Sequence, residues 1–271
     1  KMALFEALVA SGLIDDDYVG QALVAYFPPQ LRERHAAVMP RHPLRREIVA
    51  TVVANGLVNR TGSTFVHRMQ EETGATPDEV ARAYILVRDI FGFEPLWDAI
   101  DALDNRVAAK LQYQMLADAG RLLLRATLWF LRRRRERLPI ARVLEIFRPG
   151  LAAIDGELPA ILAPEDRAAF EASALRLANQ GVPAPLARRM AGLDALYATL
   201  DVTEVALAQS KGIRPLAALH FALVGELGLG WFAEKIARLP TDTPWQAMAR
   251  NALRGRSTTR LCGKAPRKWM R

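Results

Sequence analysis

The sequence predicts an all-α fold, a multi-helix bundle array made of two helical subdomains. Three observations predict it. Apolar residues recur at helical spacing, and no window shows the period-two alternation of a half-buried strand. Three stretches have the pattern of a helix start: Thr76-Pro77-Asp78-Glu79, Asp201-Val202-Thr203-Glu204 and Thr243-Pro244-Trp245-Gln246. In each, a side-chain oxygen can accept from a backbone N–H with no partner inside the helix, and a carboxylate or amide follows three residues later. The composition, 51% hydrophobic and 24% charged, provides enough apolar surface for a core and excludes a disordered chain.

In order along the chain, helices are expected at residues 3–10, 15–26, 28–38, 43–58, 63–73, 77–91 and 95–103. The chain opens in a helical pattern and shows no signal peptide. Asn55-Gly56 sits between helix-like segments, so a kink or helix end is expected there rather than a hairpin turn. Thr76 caps the helix that begins at Pro77, with proline at its first position. A long helix is expected at 105–136, with Leu103, Val107, Leu111 and Met115 at spacing four and Leu122 and Trp129 extending the stripe. Leu138-Pro139 ends it and divides subdomain 1–137 from subdomain 138–253. Prolines 149, 159, 164, 183 and 185 point to short helices and turns, at 140–147, 150–162, 165–180 and 184–190. Helices at 193–210, 213–227, 230–238 and 244–254 complete the array. Gly225-Glu226-Leu227-Gly228-Leu229-Gly230 follows a helical pattern, not a buried strand. A helix–helix turn explains it better than a dinucleotide-binding loop, so no Rossmann domain is expected in this chain.

The net charge of +8 is concentrated at one end. Arg254, Arg256, Arg260, Lys264, Arg267, Lys268 and Arg271 face no acid within 254–271, which leaves a surplus of one positive charge over residues 1–253. A nearly neutral body has few cations to spare for phosphates, so nucleic-acid binding is the weakest of the functional readings. The basic tail 254–271 has no helical period and is expected to be disordered or loosely attached. The single cysteine, Cys262, excludes an intrachain disulfide and fits a reducing cytoplasm. No stretch approaches the roughly 20 apolar residues of a membrane span.

Few residues offer chemistry. The four histidines, His35, His42, His67 and His220, have no ligand partners at metal-site spacing. No P-loop or nucleophile elbow is present, so catalytic, cofactor-binding and metal residues are all assigned as none. Two polar groupings remain as candidates. The first is a structural or docking motif: His42, Pro43, Arg45, Arg46, Asn55, Asn59 and Arg60, set around apolar Ile48, Val49, Val52 and Val53. It can form a buried network that locks helices, since each unpaired member of such a network costs about 1–3 kcal/mol. A docking face toward the catalytic region of a longer chain is the other reading, and the structural one is preferred. The second is a basic contact of Arg132, Arg133, Arg134 and Arg135 at the end of the long helix. Cations there meet unsatisfied carbonyls, which favour each by ~0.3–1 kcal/mol. A solvated face is the plain reading, and contact with an acidic surface of a neighbouring region is the sharper one.

The stretch His42-Pro43-Leu44-Arg45-Arg46-Glu47-Ile48 through Asn55-Gly56-Leu57-Val58-Asn59-Arg60-Thr61-Gly62 resembles the helical C-terminal portion of large bacterial NAD-dependent glutamate dehydrogenases. Further matching residues are Glu72-Thr73-Gly74-Ala75, Ala83-Tyr84, Leu200-Asp201 and Trp245-Gln246-Ala247. The resemblance runs from about Ser11 to Leu253. It implies a cytoplasmic, homo-oligomeric parent that oxidises glutamate to 2-oxoglutarate and ammonium with NAD. It also implies that catalytic residues and NAD belong to other segments, leaving this chain inactive alone. On this reading the chain braces the catalytic region or mediates subunit contacts. A metabolite-binding regulatory domain, with arginines gripping a carboxylate, is the alternative.

Overall fold

The computed structural model describes residues 1–35, 37–133 and 138–228, and, of the following stretch, 235, 236, 238–243, 245, 246, 248–250 and 253. Among these residues every regular element is helical and none is a strand. The expected tail at 254–271, and most of the helix expected at 230–238, lie outside the described residues. The chain divides into two compact units, Lys1–Ala102 with Lys110–Arg148, and Leu103–Ala109 with Pro149–Arg271.

The first unit is assembled around one helix. Its elements are α1 (Met2–Ala10), α2 (Asp17–Tyr26), α3 (Pro29–His35), α4 (Arg45–Thr61), α5 (Phe65–Thr73), α6 (Pro77–Ile90) and α7 (Phe93–Asp101). It also holds most of α8 (Ala109–Arg133) and the first part of α9 (Ile140–Ile161). α4 packs on α1 and α2, while α6 packs on α1, α4, α5 and α7. Val80, Ala81, Ala83, Tyr84, Ile85, Leu86, Val87 and Ile90 of α6 are all buried, so this helix is covered on nearly every side. The expected cap is present: the Glu79 carboxylate accepts the Thr76 N–H at 2.9 Å, and the Thr76 hydroxyl donates to Asp78 at 2.6 Å. Gly92, at φ 61°, turns the chain into α7 in a left-handed conformation that a Cβ would strain. α7 therefore begins at Phe93, two residues earlier than the pattern predicts. Trp129, Phe130 and Phe147 form an edge-to-face aromatic cluster between α8 and α9, with centroids 5.1–5.8 Å apart.

The second unit holds the rest of α9 with α10 (Pro164–Asn179), α11 (Ala184–Leu196), α12 (Ala198–Gln209) and α13 (Ile213–Glu226). α10 packs on α11, α11 on α12, and α13 on both α12 and α10. At the end of α13, Gly228 takes φ 59° and its N–H donates to Gly225 at 3.0 Å, so the glycines there make the expected helix end. Thr243 and Gln246 exchange both capping-box bonds, at 3.0 and 3.2 Å.

Several expectations are corrected. α4 runs unbroken through Asn55-Gly56, because Ala54 and Leu57 on either side are buried and tertiary packing outweighs the glycine penalty. α8 starts at Ala109 and not at residue 105: Asn105 takes φ 59° and Arg106 N–H closes a turn onto Leu103, so Leu103 and Val107 precede the helix. The two short helices expected at 140–147 and 150–162 are one, α9, with Pro149 and Pro159 inside it. Buried Ile140, Val143, Leu144, Phe147, Leu151, Ile154 and Leu158 continue one stripe across Pro149, which offsets the lost backbone bond. Asp201 is no cap. Tyr197 keeps helical torsions, φ −57° and ψ −34°, so α12 already starts at Ala198 and holds Asp201 buried inside it.

Two measurements test this packing. Gly56→Ala adds a Cβ that meets nothing within 4 Å, so urea denaturation should show a gain of about 0.5–1 kcal/mol; a loss would mean α4 does not follow this path. Burial pushes the Tyr84 hydroxyl, which donates to Gly56 at 3.2 Å, up to about 12. Its contribution is full below the ordinary tyrosine value near 10 and is lost as pH rises from there to about 12, an amplitude of about 2–3 kcal/mol. Tyr84→Phe should flatten that part of the pH–stability curve.

Candidate functional site

The polar chemistry of residues 42–60 resolves into two clusters at opposite ends of α4, about 22 Å apart along the helix. At the N-terminal end the His42 Nδ1 accepts the Leu44 N–H at 3.1 Å, which turns the chain at Pro43 into the helix. The His42 ring lies against Phe27 at 5.8 Å. Arg46 then reaches back across the fold. Its Nε donates to the Val9 carbonyl at 3.2 Å, and one terminal nitrogen donates to Val9 at 2.7 Å and Ser11 at 2.9 Å. The other terminal nitrogen pairs with Asp15 at 2.5 Å. The guanidinium thus satisfies carbonyls at the C-terminal end of α1, where helix groups lack partners and negative potential gathers. Arg45 lies 3.8 Å from the same Asp15 and lies along Gly20 of α2.

At the other end of α4, Arg60 pairs with Asp101 at 3.3 Å and stacks over the Trp97 ring at 4.7 Å, joining α4 to α7. Between the clusters Asn55 is half-buried and Asn59 exposed. The seven candidates therefore do not form one network: Arg45 and Arg46 converge on Asp15, while Arg60 serves a separate seam.

A third polar cluster was not singled out from the sequence. Arg88 and Asp89 stand near the end of buried α6. The Asp89 carboxylate accepts from Arg88 at 2.7 and 2.9 Å and from the Tyr18 hydroxyl at 2.8 Å. Arg148 of α9 closes the ring, donating to the Asp89 carbonyl at 3.1 Å and to the Tyr18 hydroxyl at 3.1 Å. Burial, reinforced by the bond to Asp89, holds the Tyr18 hydroxyl above the ordinary tyrosine value. The available signal was a charged dipeptide within the apolar run from Ala83 to Phe91; its partners, far away in sequence, left none.

Of the basic contact, Arg132 lies 3.5 Å from Glu72 of α5, which also pairs with Arg68 at 3.1 Å. Arg133 stacks on Trp129 of its own helix at 5.8 Å. Arg134 and Arg135 lie outside the described residues. Among the described residues no group of three or more His, Cys, Asp or Glu is placed to hold a metal ion. A cavity of about 10 Å³ lined by Arg82, Leu86, Phe130 and Phe147 has room for roughly one water, far short of a metabolite. What these polar groups do chemically is hold helix to helix. Arg46→Ala should therefore cost about 1–2 kcal/mol in chemical denaturation, because half-buried carbonyls at the end of α1 lose their donor. Arg46→Lys should recover little, since an ammonium lacks the planar fork; full rescue by lysine would show that charge alone matters.

Comparison with known proteins fits this geometry. Over 254 residues the chain is 39% identical to the NAD-specific glutamate dehydrogenase of Pseudomonas aeruginosa, 36% to that of Halomonas elongata and 33% to that of Mycobacterium tuberculosis. Each match covers 94% of this chain, and the chain spans 16% of the length of each relative. The family model for the glutamate dehydrogenase C-terminal region matches residues 1–260. With that match over nearly its whole length, the all-helical chain belongs to the C-terminal family of glutamate dehydrogenases.

Proposed function

We propose that this chain is the non-catalytic helical module of a large NAD-dependent glutamate dehydrogenase, bracing the catalytic region or mediating subunit contacts. The parent enzyme oxidises L-glutamate to 2-oxoglutarate and ammonium. NAD and the reacting groups belong to the rest of that polypeptide, which works as a homo-oligomer in the cytoplasm. The match of residues 1–260 to the family carries this reading. Two features support it. Arg46, Arg60 and Arg148 are committed to bonds between helices of this chain, as a brace requires. No helix among the described residues is long and apolar enough to cross a membrane.

The purified 271-residue chain should give a strongly helical circular dichroism spectrum and no NADH when mixed with glutamate and NAD. Deleting the region from the full enzyme should lower its thermal stability or its assembly state. Turnover by the isolated chain overturns the proposal. A thermal shift of the isolated chain with amino acids or dicarboxylates would replace bracing with metabolite sensing.

A further inference from the structure

Helix α13 is apolar on two faces and covered on one. From Pro215 to Gly225 it contains no Asp, Glu, Lys or Arg, and its only titratable side chain is His220. One face, with Ala217 and Phe221, is buried, and the helix packs on α10 and α12. Gly225 belongs to that seam, because an added Cβ would stand 2.6 Å from the Ala163 Cβ. The other face shows Leu219, Leu223 and Leu227, four residues apart, at 54%, 43% and 60% exposure. A single exposed leucine is ordinary, but a row of them on a helix with a second, buried apolar face describes a helix with one face uncovered among the described residues. Trp245 and Met248, three apart on a helical segment of the same unit, are likewise exposed.

We propose that the Leu219–Leu223–Leu227 face is the seat of an apolar, uncharged surface on the remainder of the same enzyme polypeptide. This rests on the reading above, and the family comparison supplies the occupant: the matched region is 16% of each relative, so most of such an enzyme lies outside it. The size of the face selects a tethered partner over a second copy. Free association needs about 1,200–2,000 Å² of buried surface to offset lost translational and rotational freedom. A row of three leucines on one helix falls well short of that. A segment of the same chain is spared most of that loss, because its effective concentration reaches roughly millimolar. The chemistry of the helix also fits: interface cores are poor in charge, and His220, desolvated within this chain, has its pKa lowered and adds no charge beside the row at neutral pH.

The test uses the double substitution Leu219→Glu with Leu223→Glu, and Leu175→Glu of α10 as a control at another exposed leucine of the unit. In the isolated chain both variants should melt like the parent, and the parent should sediment as a monomer. In the full-length enzyme the double variant should release the module to limited proteolysis roughly tenfold faster or more, with Leu175→Glu unchanged. Equal release of both variants overturns the docking face. Self-association of the isolated chain that the double variant abolishes overturns it too, in favour of a second copy. Neither result touches the bracing role, which fails separately if deleting the whole module leaves stability and assembly unchanged.

Discussion

The first unit depends on holding a largely covered carboxylate without leaving it unpaired. α6 is packed by its neighbours on nearly every side, yet near its end it carries Arg88 and Asp89. An ion taken from water costs several kcal/mol unless geometry and hydrogen bonds offset it. Here three donors converge on one carboxylate, from the same helix and from α2, and Arg148 of α9 ties down the carbonyl and the phenol around it. The cluster thereby links three helices, α2, α6 and α9, around one carboxylate. Arg46 and Arg60 apply the same logic at the two ends of α4. Arginine suits all three places because its planar fork reaches several acceptors at once, which a lysine cannot do.

How much of this was legible in the sequence follows from the range of each interaction. Helix type and most boundaries were readable because period, capping and proline placement act within a few residues. The boxes at Thr76 and Thr243 are examples. Three of the misses share one cause. Asn55-Gly56, Pro149 and Asp201 each look like an interruption locally, and each lies inside a helix whose buried stripe continues through it. Packing, supplied from elsewhere in the chain, overrode the local preference.

The candidate site shows the same limit. The arginines of α4 were recognisable as a group, but their acceptors were not: Val9, Ser11 and Asp15 bear no mark in the sequence, and Asp101 lies far downstream of Arg60. Backbone carbonyls are invisible as partners until the chain is folded. Tyr18 and Arg148 were missed for the same reason, being far apart in the chain and brought together only by α6. Membership in a dehydrogenase family is accordingly read from residues that build a scaffold.

Helix α3 offers a contrast within the same unit. It buries none of its side chains, and Leu31 on it is 41% exposed. Arg32, bonded to the carbonyls of Phe27 and Ala25 at 2.6 and 2.9 Å, anchors its first turn. A segment with so few buried contacts belongs to the low end of the range of opening free energies, and a covered helix such as α6 to the high end. Among the described helices of this unit, rigidity is therefore graded, from fully covered α6 to α3.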